Sequence, residues 1–322
     1  MMRLRPFGRL GWPVSEVGYG LWGMGGWTGS NDDESMAALE RAIALGCTFF
    51  DTALVYGHGK SEQLLGRVLA GHRDATLFVA TKIPPKNLKW PALASYAASD
   101  VFPADHIRRS TETSLTNLGL TSVDLQQAHV WSDAWANDDG WPRAVDDLKR
   151  EGLIRGFGIS VNRWEPANVI AALRTGLVDS VQVVYNVFDQ NPEDELFPVC
   201  RELGVAVIAR VPFDEGSLTG AMHRGMTWPD GDWRNLYFTP ERLDATLTRV
   251  EALRAEVPPG LALSEMALRF ILGNPDVSTV IPGMRRSAHV EANLAASDAP
   301  RLSGATMAAI QRHRWTRTYV VM

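Results

Sequence analysis

"FFDTALVYGHGK", residues Phe49 to Lys60, passes from two aromatics through Asp51 to Tyr56 within one short loop. An apolar run that ends on a carboxylate reads as a buried strand delivering Asp51 to its carboxyl end, with Tyr56 on the loop beyond. Neither a metal-ligand spacing nor a phosphate-binding glycine pattern surrounds it. Chemistry at this point therefore rests on a carboxylate, a phenol and whatever neighbouring strands bring to them.

The same scheme recurs along the chain. Short apolar runs rich in β-branched residues fall at Val17–Tyr19, Cys47–Phe50, Leu77–Ala80, Val123–Gln127, Gly156–Ile159, Val181–Val184, Val205–Ile208 and Val277–Ile281. Segments of helical period separate them. Asn31 or Ser30 is the expected cap of the first, with Met36, Leu39 and Ile43 on one face and Gly46 as the stop. Asp105 is the expected cap of a second that closes at Gly119, and Pro142 the first helical residue of a third that closes at Gly152. Continuous apolar strands that each feed a helix need cover on both faces, as parallel βαβ units provide. Eight such units in 322 residues predict an α/β fold: a single (β/α)8 TIM barrel spanning residues 1–322, with its active site at the carboxyl ends of the strands. An open doubly wound sheet would stop nearer six strands. Residues 216–240, rich in Gly, Trp and Asp and without a helical stripe, read as a functional loop.

Composition excludes several classes of function. The chain is 45% hydrophobic and 21% charged, with a formal net charge of -5 and no run of like charge. Nucleic acid and anionic membrane are therefore not expected partners. Cys47 and Cys200 form neither a disulfide framework nor a zinc spacing, so no metal is expected. No segment holds the roughly 18 apolar residues needed to span a bilayer, and the amino terminus lacks an apolar leader core. A soluble cytoplasmic protein is expected; nothing in the sequence supports self-association.

Residues at the strand ends define the candidate chemistry. The second strand ends at Asp51, the third at Lys82, the fourth at His129 and the fifth at Ser160, while the sixth carries Gln182. A buried Lys82 favours the phenolate of Tyr56 and is expected to bring its pKa below the ordinary value of about 10. Asp51 would fix Lys82, and His129 would hold a substrate oxygen beside the phenol. Alone, Lys82 equally fits a strand-end ion pair or the Schiff-base lysine of an aldolase barrel, and His129 a core histidine. As a set of four on consecutive strands they describe a proton donor aimed at an oxygen that gains negative charge.

On these residues the chain resembles the aldo-keto reductase family, whose Asp-Tyr-Lys-His tetrad matches Asp51, Tyr56, Lys82 and His129 in order and context. "FFDTALVYGHGKSEQLLGRVL", "DLQQAHVW", "GLIRGFGIS" and "VQVVYN" are similar to successive family motifs, and the likeness runs from Gly18 to about Ser297. The resemblance implies reduction of an aldehyde or ketone, a small aromatic or sugar-like carbonyl compound, by hydride transfer from NADPH, with Tyr56 as acid. It also implies the cofactor residues. Ser160 and Gln182 would hold the nicotinamide carboxamide. Ser217 and Thr219, in "VIARVPFDEGSLTG", would contact the pyrophosphate. In "VIPGMRRSAHVEANLAA", Gly283 belongs to the family's Ile-Pro-Gly segment, Arg285 and His289 would face the 2′-phosphate, and Asn293 would face the adenine. Ala292 departs from the acidic residue usual before that asparagine. Arg210 stands where many members stack an aromatic on the nicotinamide, which resembles the branch of potassium-channel β-subunits and bacterial stress-type reductases.

Tryptophans cluster in the loops expected at the mouth: Trp22 and Trp27, then Trp131, Trp135 and Trp141, then Trp228 and Trp233 beside Tyr237 and Phe238. Trp22 and Trp131 are taken as substrate residues, and Trp135 and Trp141 as packing. The tail "HRWTRTYVVM" either closes over the pocket or docks the last helix. Two other functions share these motifs: a redox-sensing NADPH-binding module with slow turnover, and a sugar or polyol dehydrogenase working oxidatively.

Overall fold

The computed structural model describes residues 2–26 and 29–317. An antiparallel hairpin, β1 (Leu4–Phe7) and β2 (Trp12–Ser15), comes first. Eight parallel strands follow: β3 (Tyr19–Gly20), β4 (Phe49–Asp51), β5 (Phe78–Ile83), β6 (Val123–Ala128), β7 (Ile154–Ser160), β8 (Ser180–Val184), β9 (Ala206–Arg210) and β10 (Val277–Val280). Each pairs with the next in chain order. Parallel bridges Val17–Val280 and Gly20–Gly283 join the first strand to the last. There the Gly18 N–H donates to the Val280 carbonyl at 2.8 Å and the Gly20 N–H to the Pro282 carbonyl at 3.0 Å. The sheet is thus a barrel ringed by helices, and the eight strands expected from the sequence are its staves.

Apolar side chains pack in two layers. The larger layer fills the space between the strands and the surrounding helices. The smaller one fills the barrel interior, where Phe7 and Trp12 of the hairpin stack on Phe49 and Phe78 with ring centroids 5.4 and 5.5 Å apart. The hairpin therefore plugs the end of the barrel opposite the strand carboxyl ends. Sequence periodicity does not reveal it, because each strand has four residues and carries a proline, Pro6 paired with Pro13. Prolines are tolerated in such a ribbon because it has only edges. Buried Glu16, just past the hairpin, accepts from Arg5 at 2.9 Å, Ser297 at 3.0 Å and Arg301 at 2.6 Å, tying the plug to the carboxyl-terminal helices.

Helix ends follow expectation at some points and not at others. Asn31 caps the helix Asp32–Ala44 by accepting from the Glu34 N–H at 3.0 Å. Asp105 is not a cap: the helix Ala104–Leu118 starts after Pro103, and Asp105 lies in its first turn, paired with Arg109 at 2.6 Å. Pro142 is the third residue of the helix Gly140–Arg150, not its first. The stretch read as a bare loop holds a 3-10 turn, Asp214–Thr219, and a short helix, Arg234–Tyr237. It also has its own apolar cluster of Trp228, Tyr237, Phe238 and Leu243. Its aromatics are spent on packing the loop, which hides any helical stripe. No helix among the described residues is long and apolar enough to cross a membrane.

Truncating the plug tests its part in the fold. Phe7→Ala leaves a cavity inside the barrel and is expected to cost about 3–5 kcal/mol, read from the shift in urea unfolding midpoint. An unchanged midpoint would show that the barrel closes without its plug.

Candidate active site

Asp51, Lys82, Gln127 and Gln182 reach one point from β4, β5, β6 and β8. Lys82 is fully buried, and its Nζ donates to Asp51 Oδ2 at 2.5 Å and to the Thr52 carbonyl at 2.7 Å. The amides of Gln182 and Gln127 donate to the other carboxylate oxygen at 2.7 and 3.1 Å. The remaining Nζ contact is the Tyr56 hydroxyl at 3.5 Å, with the ammonium 5.1 Å from the ring centre. His129 meets Tyr56 edge-on, ring centroids 5.7 Å apart, and its own N–H on the backbone donates to the Ile83 carbonyl. The sequence-predicted tetrad is therefore one contiguous cluster.

Backbone proximity sets the Tyr56 loop. Gly57 has a φ of +61°, and a Cβ there would stand 2.5 Å from the Gly25 carbonyl oxygen. The loop after β4 can press against the loop after β3 only because both residues lack side chains. Gly25 and Gly57 thus fix the height of the phenol over the barrel mouth.

Burial decides the charge states. It raises the Tyr56 pKa above the ordinary phenol value, outweighing the pull of Lys82, while Asp51 adds to the rise and Arg210 opposes it. The expected depression of this pKa is therefore corrected: Lys82 acts in the expected direction, but desolvation of the anion is larger. Burial, then Lys82 and Arg210, hold His129 well below the usual 6.5. Its imidazole is neutral at pH 7, and its Nδ1 is buried without a hydrogen-bond partner among the described residues.

A cavity of about 750 Å³ opens above this cluster, lined by Asp51, Tyr56, His129, Gln182 and Arg210 and running to Gly283, Arg285 and His289. Arg210 Nη2 donates to the Val161 carbonyl at 3.1 Å, leaving its buried Nε unpartnered among the described residues. Arg285 Nη1 is likewise buried and unpartnered. Burial and the nearby Arg286 and Arg234 lower the Arg285 pKa. Crowded cations with unused donors suit a polyanion.

Other expected site residues sit elsewhere. Ser160 is buried in register with Gln182 and does not line the cavity. The Ser217 hydroxyl donates to Asp214 at 2.7 Å, and that of Thr219 to the Gly216 carbonyl at 2.6 Å, so both are committed within their own turn. Asn293 is buried on the helix Ser287–Asp298, off the cavity wall. Trp22 lines the cavity, 5.6 Å from Trp233 across the mouth. Trp131 does not: it is buried edge-on to Trp135 and Trp141, in the core. Trp27 lies outside the described residues.

Several residues of the site escaped sequence reading, Arg234 on the cavity wall among them. Gln127 shares the Asp51 carboxylate; Trp90 meets His129 edge-on at 6.1 Å; Arg163 and Glu215 pair across the cavity wall. Gln127 alone carried a signal, two residues before His129 on the same strand face.

A tyrosinate absorbance titration of wild type against Tyr56→Phe is expected to show Tyr56 ionising above the ordinary value near 10. Lys82→Met, which removes the largest downward influence, should move it further up. Ionisation below the ordinary value in wild type would contradict the dominance of burial.

Residues 16–314 match the Aldo/keto reductase family. An uncharacterised oxidoreductase of Bacillus subtilis is 28% identical over 312 residues, covering 97% of this chain and 96% of its own. An aldo-keto reductase of Schizosaccharomyces pombe, named for NADP(+), is 29% identical over 318 residues, covering 92% and 88%. Among solved structures, an aldo-keto reductase of Bacillus halodurans in its holo form superposes with a TM-score of 0.79 at 27% identity, covering 99% of this chain and 98% of its own. With the barrel, the clustered tetrad and a family match across nearly its whole length, this chain belongs to the aldo/keto reductase family.

Proposed function

We propose that the protein reduces an aldehyde or ketone to the alcohol with NADPH, Tyr56 acting as the acid. The observation that carries this reading is the placement of a protonated phenol and a neutral imidazole at the floor of a cavity whose far end is cationic. When bound, the reduced nicotinamide supplies a hydride to the carbonyl carbon. The residues of this chain do the rest. Neutral His129 offers a ring N–H that orients the carbonyl oxygen without adding a charge. As that oxygen becomes negative, Tyr56 gives it a proton, and the phenolate left behind is stabilised by Lys82, which Asp51 and the Thr52 carbonyl hold in place. Gln182, from β8, and Arg210, from β9, wall the same floor.

Arg285 and His289 favour a 2′-phosphate over a bare ribose hydroxyl, since both line the groove's outer end and no carboxylate among the described residues lines it there; Glu34, nearby, pairs with Arg286. Gly283, exposed and with open space where a Cβ would stand, leaves room for a ligand beside them. Ser160, Ser217, Thr219 and Asn293 would then complete the site after side-chain rotation. Trp22, Trp90 and Trp233 give flat walls suited to an aromatic or sugar-like substrate. The barrel would work as one domain.

The test is loss of nicotinamide absorbance with NADPH and a panel of aromatic aldehydes, sugars and diketones. Tyr56→Phe is expected to lose on the order of 10²–10⁴-fold in kcat while still binding NADPH, and Arg285→Ala to raise KM for NADPH but not for NADH. Tight NADPH binding with no turnover of any carbonyl compound would overturn the reductase in favour of the sensing module.

A further inference from the structure

Arg317, near the carboxyl end, takes no part in the tetrad, yet its side chain is almost wholly buried. Its Nη2 donates to Asp189 at 2.5 Å and lies 2.7 Å from Asp214. Asp189 belongs to the loop after β8 and Asp214 to the loop after β9. Trp164, Phe188 and Trp315 surround the guanidinium at 5.5, 5.9 and 4.8 Å from their ring centres. Trp315 is anchored in turn, its backbone N–H donating to the Phe188 carbonyl at 2.9 Å. Of the tail expected either to close over the pocket or to dock the last helix, the part up to Arg317 packs against the loops after β8 and β9 instead; Thr318 to Met322 lie outside the described residues.

The β9 loop has an unusual backbone. Val211, Asp214 and Glu215 have φ of +57°, +46° and +57°, in the left-handed region that non-glycine side chains disfavour. Such geometry persists only where the surroundings over-determine it. Three contacts do so: Ser217 donates to Asp214, Arg163 pairs with Glu215, and Arg317 bridges Asp214 to Asp189. Without Arg317, two buried carboxylates from different loops would face each other with Arg163, 4.0 Å from Asp214, as the nearest cation among the described residues, keeping the Ser217 hydroxyl and the Asn186 amide as donors. The same loop gives the cavity Val211, Pro212, Phe213, Glu215 and Gly216, whereas Arg317 and Asp214 do not line it.

We propose that Arg317 is a positioning residue for the dinucleotide: by clasping Asp214 to Asp189 it holds the β9 loop in the shape that lines the cofactor groove. This rests on the NADPH reading above. The clasp acts before the ligand arrives, so its removal moves the ordering of the loop into the binding step and weakens affinity. Carbonyl binding against Trp22, Trp90 and His129, on other loops, is left alone, and Trp233 lies well beyond the clasped Asp214–Thr219 turn on the segment that follows β9.

NADPH affinity by tryptophan quenching, with melting of the cofactor-free protein, tests this on wild type, Arg317→Met and Arg317→Lys. Arg317→Met is expected to weaken NADPH at least tenfold, with the carbonyl KM at saturating NADPH unchanged. Arg317→Lys keeps the charge, and its single ammonium can still bridge the two carboxylates that one nitrogen, Nη2, meets here; it should recover part of the affinity, and it carries the test if the Met variant does not fold. Wild-type NADPH affinity in a folded Arg317 variant overturns the proposal, as does a change confined to the carbonyl KM. A wild type that fails to bind NADPH overturns the cofactor reading itself, and the clasp's role with it.

Discussion

A buried ammonium and carboxylate 2.5 Å apart, Lys82 and Asp51, sit under everything the site does. Neither charge would be tolerable there alone, and even as a pair they recover their lost hydration only if every remaining donor and acceptor is met. The Thr52 carbonyl and the amides of Gln127 and Gln182 meet them. The pair and its partners together come from four strands, so the pair is satisfied only when β4, β5, β6 and β8 hold their observed register. A slip by one residue would turn each side chain to the opposite face of the sheet. Barrel register and the charge pair beneath Tyr56 are therefore held by the same contacts.

The barrel was legible because each stave announces itself locally: a β-branched run, a polar residue at its end, a helix after it. The tetrad was legible for the same reason, each member sitting at a strand end or one loop beyond. What escaped depends on distance along the chain. Arg163, Glu215 and Arg317 gain meaning only when loops after different strands meet, and no local pattern marks an arginine that will find its acid a hundred residues away. Trp131 shows the opposite failure. Its place after the fourth strand suggested the mouth, but its neighbours Trp135 and Trp141 form a packed cluster that draws it into the core. The Tyr56 pKa was misjudged in direction because a sequence shows the helpful cation and not the burial that opposes it.

Local charge and net charge point in opposite directions in this molecule. The chain is acidic overall, with a net charge of -5, while the cavity gathers Arg163, Arg210, Arg234, Arg285 and His289 against Asp51 and Glu215. Charges on the outer surface are screened beyond about 8 Å at physiological ionic strength, so a polyanion in the groove responds to the arginines beside it. Arg210 carries this furthest inward. It lowers the pKa of His129 and opposes the rise at Tyr56, the same sign of effect on two groups with different ordinary values. For the imidazole it adds to burial and Lys82, the larger causes of its neutrality at pH 7. For the phenol, which burial keeps protonated, the result is a phenolate less costly to form. One cation at the end of β9 therefore adds to burial and Lys82 in favouring a neutral His129 and opposes burial at Tyr56, which an aromatic in that position would not do.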